Sequence, residues 1–202
     1  MATRAGLNKA AVVRAAAELA DEVGLEGVTL ATLAERLGVR TPTLYHYVGG
    51  LPGLRREIAL LGLREQAEAL GRAVMGRAGA DAIRALAEAL RAYIGAHPGR
   101  YAATVSSAVG RDDPELEAAQ SAVVDIALRA LAGYHLAPDD AIHAVRMVRA
   151  VVHGIATLEA AGGFGLPQDV DETFRRLLDA SLRAFEAERA RQHAGGRSRP
   201  GA

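Results

Sequence analysis

The chain of 202 residues contains no cysteine and no tryptophan, and only 4% of its residues are aromatic. Without cysteine the protein has no disulfide, no thiolate metal site and no cysteine nucleophile. Prolines number only seven, and alanine is abundant where β-branched and aromatic residues are scarce. This composition predicts an all-α fold, because alanine favours helices and the scarce residues favour strands.

Membrane and export signals are also missing. The first residues lack the apolar segment of a signal peptide, and no run approaches about 18 apolar residues. No helix pairs a basic face with an exposed Trp or Phe, which disfavours a membrane-surface protein. We therefore expect a soluble, cytoplasmic protein with no membrane partner.

Enzyme signatures are equally absent. The patterns GxSxG, HExxH, GxGxxG and the phosphate-binding GxxxxGK followed by Ser or Thr do not occur. A Ser-His-Asp trio is available from Ser106, His153 and Asp125, but any chain of this length offers such a trio. We predict that the protein is not an enzyme and has no cofactor.

Charge is balanced, with 24 basic and 24 acidic residues. A net charge of zero argues against a protein that binds nucleic acid through bulk charge alone. Residues 1–56 hold seven basic and five acidic groups, which is a small excess. Useful affinity for nucleic acid would therefore require two copies of a binding motif that act together.

Residues 29–47, TLATLAERLGVRTPTLYHY, have the pattern of two short helices joined by a tight turn. Thr29 is a suitable N-cap, and Gly38 is a suitable stop because glycine adopts the left-handed conformation without a Cβ penalty. A second helix starts near Thr41, with Pro42 in its first turn, where the missing N–H costs nothing. Apolar residues recur on one face of the first helix at spacings of three and four: Leu30, Leu33, Ala34 and Leu37.

This arrangement predicts a helix-turn-helix, whose second helix enters the DNA major groove. Leu44 points back to the first helix, together with Val39 and Val48. The other side chains carry hydroxyls, rings and an imidazole, which donate to phosphates and reach base edges: Thr41, Thr43, Tyr45, His46 and Tyr47. The alternative is an ordinary helical hairpin within a core.

The stretch from Asn8 to Leu54, with its core LAERLGVRTPTLYHYV, resembles the N-terminal DNA-binding domain of the TetR family of bacterial transcriptional repressors. In that family the residues matching Thr43 and Tyr45 usually touch phosphates. The resemblance also implies that Arg40, Thr41, Pro42 and His46 lie nearest the bases. The full predicted DNA-binding set is Thr29, Arg40, Thr41, Pro42, Thr43, Tyr45, His46 and Tyr47.

One position departs from the family pattern. The family usually places a lysine just after the recognition helix, where this chain has Leu51 within GGLPGL. That phosphate contact is lost or passes to a backbone amide at the N-terminus of the next helix.

The remaining sequence predicts a second helical domain. Before the helix-turn-helix, Asn8 is a suitable N-cap for a helix that Gly24 ends. A connector helix starts near Pro52, and further amphipathic helices start near Ala80, Pro98, Pro114, Pro138 and Val170. The helix from Pro114 follows a turn at 110–113 and is predicted to run through Tyr134. We predict three segments. They are a DNA-binding domain (1–51), a helical effector-binding and dimerisation domain (52–192) and a disordered tail (193–202).

The last two helices predict a dimer. Their apolar surface is wider than an ordinary stripe, which suits a C2 four-helix interface with one pair from each subunit. The alternative is the core of a monomer. The predicted interface residues are Val148, Val151, Val152, Ile155, Phe174, Leu178, Leu182 and Phe185.

Four polar-tipped residues are candidates for an effector site: Tyr93, His97, Tyr101 and His153. Small apolar neighbours with a few polar tips are the usual lining of a small-molecule pocket. His153 can equally be a core histidine, and the tyrosines can be packing residues with a wet hydroxyl. The segments 97–101 and 151–162 also resemble one C-terminal class of the family, named for a Trp-His-Gly signature, although Val152 replaces the Trp.

Asp139 and His143 have metal-ligand spacing, with His135 nearby, but a third ligand is missing and Asp139 is explained by the helix dipole. We therefore expect no metal. The sequence predicts a homodimeric, DNA-binding regulator that binds a pseudo-palindromic operator, a repressor released by a small, largely apolar effector. The alternative is a helical regulator without a small-molecule effector, controlled by a protein partner.

Overall fold

The computed structural model describes residues 7–106 and 112–195, with side chains through residue 192. Within these ranges the fold is all-α, as predicted, with nine α-helices and no strand. The helices are α1 (Lys9–Val23), α2 (Leu30–Leu37), α3 (Thr41–Leu44), α4 (Gly50–Val74), α5 (Gly79–Ala96), α6 (Pro98–Ser106), α7 (Pro114–Leu131), α8 (Pro138–Ala160) and α9 (Val170–Gly195).

The helix ends follow from local chemistry. Asn8 Oδ1 accepts the Ala11 N–H at 2.9 Å and caps α1, which ends at Gly24 with φ 79°. Asp113 Oδ1 accepts the Leu116 N–H at 3.1 Å in the first turn of α7. These starts and the stop at Gly24 are those that the sequence predicts.

Two predicted boundaries differ from the structure. α9 runs to Gly195, three residues into the segment predicted as a disordered tail, because its helical turns continue past Gln192. The helix predicted to run through Tyr134 ends at Leu131 and continues as one 3-10 turn. Residues 107–111, which include part of the predicted turn at 110–113, and residues 196–202 lie outside the described ranges.

The helices form two compact units. The first comprises residues up to 67 together with 95–122, and the second comprises 68–94 together with residues from 123 onward. The first unit therefore contains α6 and the start of α7 as well as the predicted DNA-binding domain. The sequence divides the chain at residue 52 instead, because it shows chain order but not which distant helices pack together.

In the second unit α8 and α9 pack against each other through apolar side chains. The Tyr134 and Phe185 rings meet edge to face, with centroids 5.7 Å apart. Arg91 on α5 lies over the Phe174 ring, 4.8 Å from its centroid, and also pairs with Glu159 at 2.5 Å. This cation thereby joins α5 to the end of α8 and the start of α9.

This packing corrects the predicted dimer interface. Area already buried inside one chain cannot be buried again by a partner, so core residues cannot form an interface. Of the eight predicted residues, Val151 alone keeps intermediate exposure. The other seven lie in the core of the single chain: Val148, Val152, Ile155, Phe174, Leu178, Leu182 and Phe185.

α8 is, among the described helices, the one whose length and apolar content would allow it to cross a membrane. Core helices of soluble proteins meet the same criteria. In this helix the exposed Arg146 and Arg149 interrupt the run of apolar residues near the middle. Two large apolar residues of α8, Met147 and Leu158, are left exposed by their own chain.

Candidate nucleic-acid interface

α2 and α3 form a helix-turn-helix whose entry is fixed by a capping box. Thr29 Oγ1 accepts the Thr32 N–H at 3.1 Å, and Thr32 Oγ1 accepts the Thr29 N–H at 3.0 Å. Such reciprocal bonds satisfy two donors that a helix start would otherwise leave unpaired. Gly38 ends α2 in the left-handed conformation, with φ 64°. Thr32 is a residue that sequence reasoning missed, although its three-residue spacing from Thr29 is the signal for a capping box.

The recognition helix α3 is short and is held in place by two buried side chains, Leu44 and Val48. Leu44 is fully buried and Val48 is 4% exposed. Beyond Leu44 the chain keeps a helical turn, because the Tyr47 and Val48 amides donate to the Leu44 carbonyl at 2.9 and 3.0 Å. Pro42 lies in the first turn, as predicted. The inward anchors leave the opposite face of the turn free for solvent or a ligand.

The outward face carries the predicted DNA-binding side chains. Tyr45 is 60% exposed, and Arg40, Pro42 and His46 are also exposed. A guanidinium just before α3, and a phenol and an imidazole just after it, provide donors for phosphate oxygens and for base edges. Thr41 and Thr43 are partly exposed beside them.

Two other members of the predicted set use their hydroxyls within the chain. The Tyr47 hydroxyl donates to the Leu7 carbonyl at 3.2 Å, and the ring is partly buried. The Thr29 hydroxyl is engaged in the capping box. A hydroxyl has a single proton to donate, so a phosphate contact from Tyr47 would require this bond to break.

Acidic partners on the first unit neutralise several of its cations. Arg36 on α2 forms a two-pronged pair with Glu22 on α1, at 2.6 and 2.7 Å. This bonding raises the pKa of Arg36 and lowers the pKa of Glu22. Arg55 pairs with Glu26 at 2.8 Å. Arg36 thus pairs α2 with α1, and Arg55 pairs α4 with the 3-10 turn at Leu25–Gly27. With these cations paired, bulk positive charge contributes little to the outward face.

The departure at Leu51 also has a place in the structure. α4 begins at Gly50, with φ 72°, and Leu51 is partly exposed in its first turn. Pro52 has no amide proton, so the amides of Leu51 and Gly53 are the donors that this turn offers. Helix N-termini attract phosphate. Loss of the lysine contact and its transfer to a backbone amide of this turn both stay predictions.

The four predicted effector residues are divided between the two units. Tyr93 on α5 is 7% exposed and His153 on α8 is partly exposed, and both belong to the second unit. Tyr101 on α6 is 4% exposed and His97 precedes α6, and both belong to the first. His97 Nδ1 lies 3.2 Å from Asp21 Oδ2. Their grouping into one pocket stays a prediction.

Comparison with known proteins decides the family. Residues 12–49 match the family described as bacterial regulatory proteins, tetR family. Residues 83–181 match the tetracyclin repressor-like C-terminal domain. A relative in Bacillus subtilis, the uncharacterized HTH-type transcriptional regulator YobS, is 33% identical over 186 residues, 92% of this chain and 94% of the relative. The chain belongs to the TetR family.

Other TetR-family relatives agree along nearly the whole length. An uncharacterized HTH-type transcriptional regulator of Mycobacterium tuberculosis is 33% identical over 196 residues, 96% of this chain and 88% of that protein. A TetR variant from Acinetobacter baumannii, solved in complex with minocycline, is 25% identical with a TM-score of 0.68. The match covers 91% of this chain and 98% of that one. This TetR-family protein is therefore a DNA-binding transcriptional regulator and not an enzyme.

Proposed function

We propose that the protein is a cytoplasmic, homodimeric repressor that binds a pseudo-palindromic operator and releases it when a small, largely apolar effector binds. The exposed face of α3 carries this proposal, because Tyr45 and Arg40 stand outward on a turn that Leu44 anchors. Two such turns, one from each subunit, would enter successive major grooves about 34 Å apart. The small excess of basic groups in one copy favours binding by two.

A second copy of the chain accounts for the apolar surface of the last two helices. Residues on α8 recur at spacings of three and four on a face that the chain's own core does not cover, and α9 has a comparable face. We call the residues on these two faces the outer stripe: Met147, Ala150, Gly154 and Leu158 on α8, and Leu177, Ala180, Ala184 and Ala187 on α9.

The outer stripe replaces the interface predicted from sequence. Met147 is 41% exposed, Leu158 is 48% exposed and Leu177 is 39% exposed. Alanine and glycine between these larger residues allow two helices to approach closely. An isologous contact between the stripes of two subunits would bury all of them, which supports a C2 dimer.

The effector proposal draws on the second unit. Along the sequence, Tyr93 and His153 are polar-tipped residues among small apolar ones, the usual composition of a small-molecule site. The Acinetobacter protein was solved in complex with minocycline, which supports a small-molecule effector for this chain without defining its polarity. An effector that weakens operator binding 100-fold requires about 2.7 kcal/mol of coupling between the two sites.

Selection from a pool of randomised duplexes tests the proposal directly. The protein should recover an inverted repeat, and binding should show a stoichiometry of two chains per repeat. A panel of uncharged, mostly apolar compounds, together with minocycline as a charged and polar comparison, is then screened for thermal stabilisation and for release of the recovered duplex. Recovery of no duplex would refute operator binding, whereas an operator that no compound releases would favour control by a protein partner.

A further inference from the structure

α6 begins directly against the second half of α1. Gly99 lies so close to the Ala20 peptide that a Cβ atom at position 99 would be 2.0 Å from the Ala20 carbonyl oxygen. The same atom would be 2.6 Å from the Asp21 nitrogen. Side chains do not fit at such distances, so position 99 requires glycine for the two helix backbones to meet.

The Asp21 carboxylate on α1 binds the first turn of α6. Asp21 Oδ1 accepts the Arg100 N–H at 2.9 Å, which caps the first turn of α6 from another helix. Asp21 Oδ2 lies 3.1 Å from Arg100 Nε and 3.2 Å from His97 Nδ1. The Asp21 side chain is only 14% exposed. A single partly buried acid thus contacts both the backbone and the side chains at the start of α6.

Arg100 extends the contact to α4. Its residue is 9% exposed, and its Nη1 lies 3.1 and 3.2 Å from the two oxygens of Glu65. The buried Nε has no hydrogen-bonding partner within the described ranges, so its contact with Asp21 is coulombic without a directional bond. Removing one partner from such a buried group leaves a charge uncompensated, which is strongly unfavourable.

This junction gives the helix-turn-helix a second attachment. Along the chain the motif continues into the rest of the molecule only through α4. α1, which supports α2 through the pair of Glu22 with Arg36, is held in addition by α6. Because the helix-turn-helix is held through both α4 and α6, it cannot rotate about α4 alone.

We propose that Asp21 is a positioning residue for DNA binding, which fixes the orientation of the helix-turn-helix by holding α1 on α6 through Arg100. The inference rests on the proposed dimeric binding to an operator. In that mode the two recognition helices must keep a set separation, so their orientation decides which half-site spacing is accepted. Asp21 acts without touching DNA.

Four variants test this role. Asp21→Ala removes both the cap and the charge, whereas Asp21→Asn keeps an oxygen for the Arg100 N–H and removes the charge. Gly99→Ala forces α1 and α6 apart. Gly95→Ala is the matched control, because a Cβ atom there meets nothing within 4 Å.

The probes are the duplex recovered by the parent from the randomised pool, the same duplex with one base pair added between its half-sites, and an isolated half-site. Asp21→Ala and Gly99→Ala should bind the recovered duplex about tenfold more weakly, within the usual range of coupling between sites. They should discriminate less than the parent against the added base pair and bind the half-site as the parent does. Gly95→Ala should match the parent throughout.

The spacing preference separates positioning from simple destabilisation, because a partly unfolded variant loses affinity for all three duplexes alike. Should Asp21→Ala or Gly99→Ala not fold, Asp21→Asn carries the test, with circular dichroism to confirm its fold. Folded variants that keep the parent's spacing preference would overturn the role of Asp21. A parent that recovers no duplex would overturn operator binding and this inference together.

Discussion

Arg56 on α4 forms a two-pronged ion pair with Asp113, the residue that caps α7. Arg56 Nη2 lies 2.7 Å from Asp113 Oδ1, and Arg56 Nε donates to Oδ2. The guanidinium, aided by the Leu116 N–H, lowers the pKa of Asp113 from 3.8 to about 2. Glu115 joins the same cation, at 3.0 Å from Nη2. The start of α7 is thereby tied to α4 within the first unit.

This pair predicts a pH dependence of stability. A carboxyl group whose pKa is lower in the folded state stabilises the fold above its ordinary pKa of about 4 and loses that effect as the pH falls to about 2. Asp113→Asn keeps the capping oxygen but loses the charge. It should therefore lower the midpoint of thermal unfolding at pH 7, and the deficit should shrink between pH 4 and about 2.

The control for this prediction is Asp112→Asn, since Asp112 is exposed beside the pair. Thermal unfolding of all three proteins is followed by circular dichroism across that pH range. A deficit of Asp113→Asn that is constant with pH would show that Arg56 does not stabilise the ionised form.

Tyr45 should contact a phosphate and not a base. The residue is on the exposed side of the recognition turn and is 60% exposed. Tyr45→Phe should weaken binding to operator and to scrambled duplex equally, by about 1–2 kcal/mol, because a phosphate contact carries no sequence information. Tyr47→Phe is the matched control, and it should cost less affinity because that hydroxyl donates to Leu7. A mobility-shift loss confined to the operator would instead assign base reading to Tyr45.

Adjacent leucines on α9 should respond in opposite ways to the same substitution. Leu178 is 2% exposed in the core, so Leu178→Glu should destabilise the fold by more than about 3 kcal/mol. Leu177 is 39% exposed on the outer stripe. Leu177→Glu with Ala184→Glu should leave the chain folded and convert the dimer to a monomer, because it places charges in an apolar contact.

Circular dichroism measures whether Leu178→Glu and the Leu177 and Ala184 double variant are folded, and light scattering measures their mass in solution. Glu186→Arg, at an exposed position of α9 that is not three or four residues from any member of the outer stripe, should keep the dimer mass. If the Leu177 and Ala184 double variant is folded and still has the mass of two chains, the outer stripe is not the interface.

His153 should belong to the effector site. An effector at 100 times its dissociation constant stabilises the fold by about 2.7 kcal/mol, which a thermal shift detects. His153→Ala should reduce this shift for a compound identified in the screen and leave DNA binding without the compound intact. The Thr157 hydroxyl donates to the His153 backbone carbonyl at 2.6 Å, and that bond survives the change. An undiminished shift would make His153 a packing residue.

The sequence by itself determined the local structure of this protein. Asn8, Thr29, Gly24 and Gly38 set helix ends through bonds and backbone angles within a few residues, so their roles are legible from spacing alone. The helix-turn-helix could also be predicted from sequence, because Leu44 and Gly38 lie within the same short stretch. Family membership followed from this stretch and was confirmed over 92% of the chain.

Only the tertiary structure decided which face of each helix meets which partner. Along α8 and α9 apolar residues occupy two faces of each helix. Periodicity cannot tell the face in the core from the outer stripe. Seven of the eight residues predicted for the interface therefore proved to be buried in the core of the single chain. The junction of Asp21 with Arg100 joins residues 79 positions apart. No sequence spacing reports such a contact, because its energy depends on burial and on the meeting of α1 with α6.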